Sequence, residues 1–211
     1  MKVMVIAPHP DDESIGCGGT LCLHARRGDP IAVVYLTSGE LGLKHLPRNK
    51  AWLTREQEAV KAARILGVAR RIFLRLPDWF VGENLDRAAR KLSPLLKRWR
   101  PDLVYLPHAK EWHPDHQAAL PIVRAALKAA RTARPTLRAY EVWTPLADYD
   151  HVENISAVMS RKLRALRAHR SQLNEFDYVR AVTGLNQFRG ELGAKSRFAE
   201  VFQTVDWQSE K

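Results

Sequence analysis

The chain has 211 residues, with 34 Lys and Arg against 23 Asp and Glu, for a formal charge of +11. At 45% hydrophobic and 27% charged, its composition is neither disordered nor fibrous, and the length suits a single domain over residues 1–211 whose core needs no disulfide or structural metal. No apolar run approaches the ~18 residues of a membrane span, and the stretch from Val3 to Ala7 is too short for the centre of a signal peptide, so no membrane association and a cytoplasmic location are expected.

Val3 to Pro8 is a short, continuously apolar run ended by proline, which suits a strand buried on both faces. A second such run, Ile31 to Thr37, follows a Gly-rich stretch, an apolar-periodic segment and a Gly28-Asp29-Pro30 stop, completing a βαβ unit. Thr54-Arg55-Glu56-Gln57 reads as a capping box. It opens a helix with Ala59, Val60, Ala63 and Leu66 on one face and Gly67 as its stop. Ile72 to Leu76 is a third strand. Asn84 caps a helix carrying Leu85, Ala88, Leu92, Leu95 and Trp99, kinked at Pro94, and Leu103 to Pro107 is a fourth buried strand. Asp115 to Arg131 is Ala-rich and helical with an interruption at Pro121. Arg138 to Thr144 alternates like a half-buried strand, Ile155 to Leu173 is a long amphipathic helix, and the remainder to Phe202 is expected to be helical and packed outside. Alternating strands and helices with short connections imply a doubly wound, mostly parallel α/β sheet in a three-layer αβα, Rossmann-like sandwich. No internal repeat, linker or low-complexity segment divides the chain.

Cys17 and Cys22 are five apart, which fits neither a CxxC pair nor a zinc ribbon, and both are expected to be reduced and half-buried. The basic excess is dispersed over Arg87 to Arg100, Arg124 to Arg138 and Arg161 to Arg170. It could attract nucleic acid or an anionic substrate, but aromatic residues are not interleaved with it, which favours solvated helix faces.

In a doubly wound sheet the ligand site lies outside the carboxyl ends of the strands, and two polar clusters fall there. His9-Pro10-Asp11-Asp12-Glu13 follows the first strand, and Glu111-Trp112-His113-Pro114-Asp115-His116 follows the fourth. Three consecutive acids beside a histidine repel one another unless a cation or hydrogen-bond donors sit among them. A divalent metal is the economical answer. His9 and Asp12 can point at one ion across the proline turn. His113 and His116 share a helix face, so that one can bind the metal while the other faces a substrate. Capping alone could account for either cluster, but it does not require histidines at two strand ends.

Ala7-Pro8-His9-Pro10-Asp11-Asp12-Glu13, followed by Gly18-Gly19-Thr20 and later by His113-Pro114-Asp115-His116, resembles the LmbE-like (PIG-L) zinc-dependent N-acetylglucosaminyl deacetylases. Thr37-Ser38-Gly39-Glu40, Arg55-x-x-Glu58 and His169-Arg170-Ser171-Gln172 agree with that family, so the likeness covers nearly the whole chain. The resemblance implies that His9, Asp12 and His116 bind one Zn2+, another divalent ion being compatible. Asp11 would be the general base, and His113, held by Asp115, would polarise the amide carbonyl or protonate the leaving amine. Arg55 matches a position that contacts the sugar or its aglycone. Glu40 and Asp78, after strands two and three, could reach sugar hydroxyls, although each also suits a turn cap. Glu111 stands where the family often carries Asp. His169 is equally compatible with a core and a site position.

The expected substrate is a small N-acetyl sugar, either a glucosaminyl conjugate or a chitin-derived sugar. A metal phosphoesterase and a basic nucleic-acid-binding module are the competing expectations. The first wants more ligands than are present and the second rests on charge alone. Oligomeric state is left open, homo-oligomer included.

Overall fold

The computed structural model describes residues 1–206. Strand β1 (Val3–Ala7) leads through two short helices, α1 (Asp12–Gly16) and α2 (Gly18–Arg26), to β2 (Ile31–Thr37). Helix α3 (Arg48–Leu66), β3 (Arg70–Leu76), α4 (Leu85–Trp99), β4 (Leu103–Pro107), α5 (Pro114–Ala130) and β5 (Thr136–Tyr140) continue the alternation. After them come β6 (His151–Asn154), α6 (Met159–Leu166), α7 (Arg170–Leu173), α8 (Tyr178–Arg189), a π turn (Gly190–Ala194) and β7 (Ala199–Thr204). The seven strands form one sheet in the order β3-β2-β1-β4-β5-β7-β6. Strands β1 to β5 pair in parallel, and β7 is antiparallel to both β5 and β6.

Successive residues of β1 feed opposite faces. Val3, Val5 and Ala7 join the core under α2, α3 and α6, whereas Met4 and Ile6 join the core under α4 and α5. This two-sided burial is why the central strands read as continuous apolar runs rather than alternating ones.

Several expected elements differ. Helix α3 begins at Arg48, behind Pro47 at the N-cap, so Thr54 is interior and its hydroxyl donates back to Lys50 O at 2.8 Å. Glu56, within the supposed box, accepts from Ser38 Oγ at 2.7 Å and pairs with Arg75 at 3.0 Å. Helix α5 runs unbroken through Pro121. The half-buried strand starts and stops earlier, at Thr136–Tyr140, and the long amphipathic helix is two helices, α6 and α7, broken at residues 167–169. The expected all-helical remainder contains β7, which with β6 extends the sheet. Both cysteines are fully buried rather than half-buried. The basic residues of α4, including Arg87, Arg90, Lys97 and Arg98, are exposed. In the third basic run Lys162 is instead buried, and its Nζ meets Glu200 Oε1 at 2.6 Å, Ile15 O at 2.7 Å and Asn186 Oδ1 at 2.8 Å.

Candidate metal centre and substrate cavity

The order of the sheet places β1 beside β4, with β2 and β3 to one side and β5 to the other. The crevice beyond β1 and β4 is therefore the point where strand order reverses. Both polar clusters empty into it.

Beyond β1, Pro10 leads into a turn in which Asp11 adopts φ 129° and ψ −26°, a left-handed conformation that costs a non-glycine residue of order 1–3 kcal/mol. Its own carbonyl accepts from Ser14 N and Ile15 N, and its N–H donates to Glu13 Oε2 at 3.3 Å. Asp12, at the start of α1, accepts from His9 N at 2.7 Å. Beyond β4, His113 is the N-cap of α5, so His116 lies in the first turn with its ring completely buried.

These pieces bring three donor atoms together. His9 Nδ1 and His116 Nε2 are 3.2 Å apart, and Asp12 Oδ2 lies 3.5 Å from the first and 3.3 Å from the second. Ligands at the ~2.0–2.2 Å bond lengths of tetrahedral zinc sit about 3.3–3.6 Å from one another, so this triangle fits one face of such a site. The outward ring atoms meet carboxylates. His9 Nε2 is 3.1 Å from Asp78 Oδ1 and 3.2 Å from Asp115 Oδ2, and His116 Nδ1, which has no hydrogen-bond partner, is 3.6 Å from Glu111 Oε2. Carboxylates behind ligand histidines fix their tautomers and raise their basicity. Burial works against charge on His9 and His116, but Asp12 and the outer acids prevail. They hold His9 well above the usual imidazole range and His116 at about 8, and Asp12 is drawn far below its usual range. That surplus of negative charge around two imidazoles is what a divalent cation offsets.

His113 also approaches, and donor atoms of His9, His113 and His116, or of His9, Asp78 and Asp115, lie within 4.8 Å of one another. The second set shares His9 with the tight triangle. Its acids are engaged elsewhere, Asp78 by Leu41 N at 2.9 Å and Asp115 by Trp79 N at 2.8 Å and Val81 N at 3.0 Å, so it offers no independent second metal site. The Asp115 carboxylate thus turns away from the His113 ring, which it was expected to hold. The link between the two is the Asp115 backbone N–H donating to His113 Nδ1 at 3.2 Å, which leaves the His113 proton on Nε2. Burial, with the neighbouring His9 and His116, lowers His113 to about 4, so the ring is neutral near pH 7.

Arg55 is 4% exposed and already engaged. It donates to Gly39 O at 2.9 Å, Pro10 O at 2.8 Å and Asp11 Oδ2 at 3.1 Å. Gly39, at φ 62°, leaves the space the guanidinium occupies, since a Cβ there would collide with it. Burial pushes the Asp11 carboxyl up to about 6, against the lowering pull of Arg55. Asp78 lines the cavity, whereas Glu40 does not and accepts from Asp78 N at 3.2 Å. Glu111 takes the backbone N–H groups of Val142, Trp143 and Thr144, the first at 2.7 Å. His169 lies below α1, 3.4 Å from Ser14 Oγ and 3.7 Å from Glu13 Oε1. Ser171, two residues on, donates to both Glu58 oxygens and ties α7 to α3.

The cavity above the donor triangle has a volume of about 240 Å³, and His9, Asp11, Asp12 and His113 line its floor. Sequence reasoning missed much of its wall: Trp79, Trp112, Trp143, Phe176 and Tyr178. They come from separate places in the chain and share no spacing.

Residues 4–127 match the model of the GlcNAc-PI de-N-acetylase (PIG-L) family. The chain belongs to this family. It is 32% identical over 184 residues to the probable N-acetyl-alpha-D-glucosaminyl L-malate deacetylase 2 of Bacillus cereus, covering 81% of this chain and 83% of that protein. It is 30% identical to the diacetylchitobiose deacetylase of Thermococcus kodakarensis over 82% of this chain and 71% of that one. A crystal structure of a conserved protein from Thermus thermophilus superposes with a TM-score of 0.84 at 33% identity, covering 97% of this chain and 94% of that one.

Proposed function

We propose that this PIG-L family member is a metal-dependent deacetylase that hydrolyses the N-acetyl amide of an N-acetylglucosamine-containing small molecule, releasing acetate and a free amine. The observation that carries this reading is the triangle of His9, Asp12 and His116 donors at zinc-like spacing, with the buried carboxylate of Asp11, held by Arg55, on the adjoining residue.

His9, Asp12 and His116 would hold one zinc ion per chain. When bound, it supplies a Lewis acid and lowers the pKa of water from 15.7 to about 7. Asp11 accepts the proton of the attacking water on its carboxylate. With a pKa of about 6 it is mostly ionised at pH 7, yet it can return the proton to the departing amine. Arg55 fixes that carboxylate through Oδ2 and, through Pro10 O, the turn that carries it. His113, neutral and with its proton on Nε2, is suited to polarise the acetyl carbonyl, which leaves amine protonation to Asp11. Asp78 and Asp115 orient His9, and Glu111 faces His116.

The unpaired cysteines agree with a cytoplasmic location. No helix among the described residues is long and apolar enough to cross a membrane.

The test is metal analysis combined with free-amine detection on N-acetylglucosaminides. One zinc per chain and amine release that a chelator abolishes and zinc restores are expected. Turnover that survives exhaustive chelation, in protein with no detectable metal, would reject the proposal.

A further inference from the structure

Beside the neutral His113 begins a continuous wall of aromatic rings. The Trp79 ring lies 4.4 Å from that of His113, and the wall then passes from Trp79 to Trp112 at 6.3 Å, to Trp143 at 6.0 Å and to Phe176 at 5.8 Å. Tyr178 backs it, 5.4 Å from Trp143. The rings meet at tilted and edge-on angles and remain partly exposed. Trp79 is 46% exposed, Trp112 55%, Trp143 37% and Phe176 54%. That much contiguous apolar surface at a cavity mouth marks a binding surface.

The wall is also rigid. Trp79 sits at φ 72°, a conformation maintained by its N–H on Asp115 Oδ2, the same oxygen that meets His9. Trp143 N donates to Glu111 at 3.0 Å, and Trp112 N donates to Thr144 Oγ1 at 3.2 Å. The carboxylates that back the two ligand histidines thus fix the backbone of two of the indoles. Metal cradle and wall are one preorganised unit.

We propose that this wall binds the part of the substrate beyond the N-acetylglucosamine unit, and that it selects an uncharged pyranose ring lying flat on the indoles over an anionic group. The proposal rests on the deacetylase reading of the same site. Two observations choose this ligand chemistry. An anion needs a guanidinium or ammonium to receive it, but both Nη atoms of Arg55 already donate to Gly39 O, Pro10 O and Asp11, and the remaining cation, Lys44, shares the cavity with the carboxylates of Asp11, Asp12, Asp78 and Glu175. An alkyl chain would match the rings but would strip water from Gln172, Glu175 and Lys44, which line the same space, and give nothing back. A pyranose has an apolar C–H face for the indoles and a rim of hydroxyls for those side chains.

The experiment compares kcat/KM for N-acetylglucosamine, N,N′-diacetylchitobiose, N-acetylglucosaminyl malate and hexyl N-acetylglucosaminide. The neutral disaccharide is expected to exceed each of the others by about ten-fold, the equivalent of one good stacking contact. Trp143→Ala and Trp112→Ala should each reduce the ratio of disaccharide to monosaccharide by about ten-fold. Trp143→Phe should restore most of it, which a merely structural role would not predict. Three of the six tryptophans line the wall, so intrinsic fluorescence should shift on titration with the disaccharide and not with the malate conjugate, whether or not turnover occurs. A ratio near one, a preference for the malate or hexyl compound, or an unchanged emission with the disaccharide would overturn the proposal. Absence of amine from all four compounds would instead count against the deacetylase reading, with the fluorescence titration still deciding the wall.

Discussion

The metal cradle and the aromatic wall touch, yet they are built by opposite means. The cradle is polar, buried and assembled from two contiguous segments, residues 9–12 and 113–116, at the ends of neighbouring parallel strands. The wall is apolar, half-exposed and gathered from loops and helix ends at residues 79, 112, 143, 176 and 178. Chemistry common to a family depends on donor atoms held to tenths of an ångström, which short rigid turns supply. Selection of one substrate needs a surface that loops can vary without disturbing those donors.

The largest effect should come from breaking the cradle itself. His116→Ala removes one corner of the triangle, so metal content should fall from near one per chain towards zero and amine release to the uncatalysed background, as read by elemental analysis and an amine assay. Next comes the separation of ligand from base. Asp11→Asn keeps the shape but cannot take a proton, so kcat should drop by about 10²–10⁴-fold with metal retained, whereas Asp12→Ala should lose metal. Equal loss of metal in both variants would show that the adjacent carboxylates do not have different tasks.

Glu111→Gln probes the seam between the two regions. Its carboxylate faces His116 Nδ1 and holds the N–H groups of Trp143 and Thr144, so metal affinity should weaken about 10–100-fold and selectivity for the disaccharide should fall with it. A change in metal affinity alone would mean that cradle and wall are independent. The smallest effect lies away from both. Burial pushes the Cys22 thiol up to about 11, so native protein should react slowly with a thiol reagent at neutral pH and rapidly once denatured. Because the folded value exceeds the ordinary 9.0, this thiol favours the folded state most below pH 9, and its contribution fades as pH rises from 9 to about 11. Rapid native labelling would place Cys22 nearer solvent than the fold does.

The first five strands could be read because each is an unbroken apolar run or a short alternating one, bounded by Pro, Gly or Asp. Strands β6 and β7 could not. His151–Asn154 is polar, and Ala199–Thr204 owes its burial to an antiparallel partner far away in sequence. The start of α3 was misplaced because Thr54-x-x-Gln57 satisfies a local capping pattern, while the helix begins behind Pro47 and leaves Thr54 in its interior, bonded to Lys50 O.

The sequence by itself determined which residues could carry the chemistry. Histidines and acids crowded after two buried strands have few uses other than a cation, and the spacing within each motif is a local property. Only the tertiary structure decided what surrounds them. The pairing of β1 with β4 closes the donor triangle, Arg55 is drawn to Asp11, Pro10 and Gly39 and so braces the turn that carries Asp11, and five aromatic side chains without any sequence periodicity meet at one cavity mouth. Those outcomes depend on contacts between segments tens of residues apart, for which no local pattern encodes the partner.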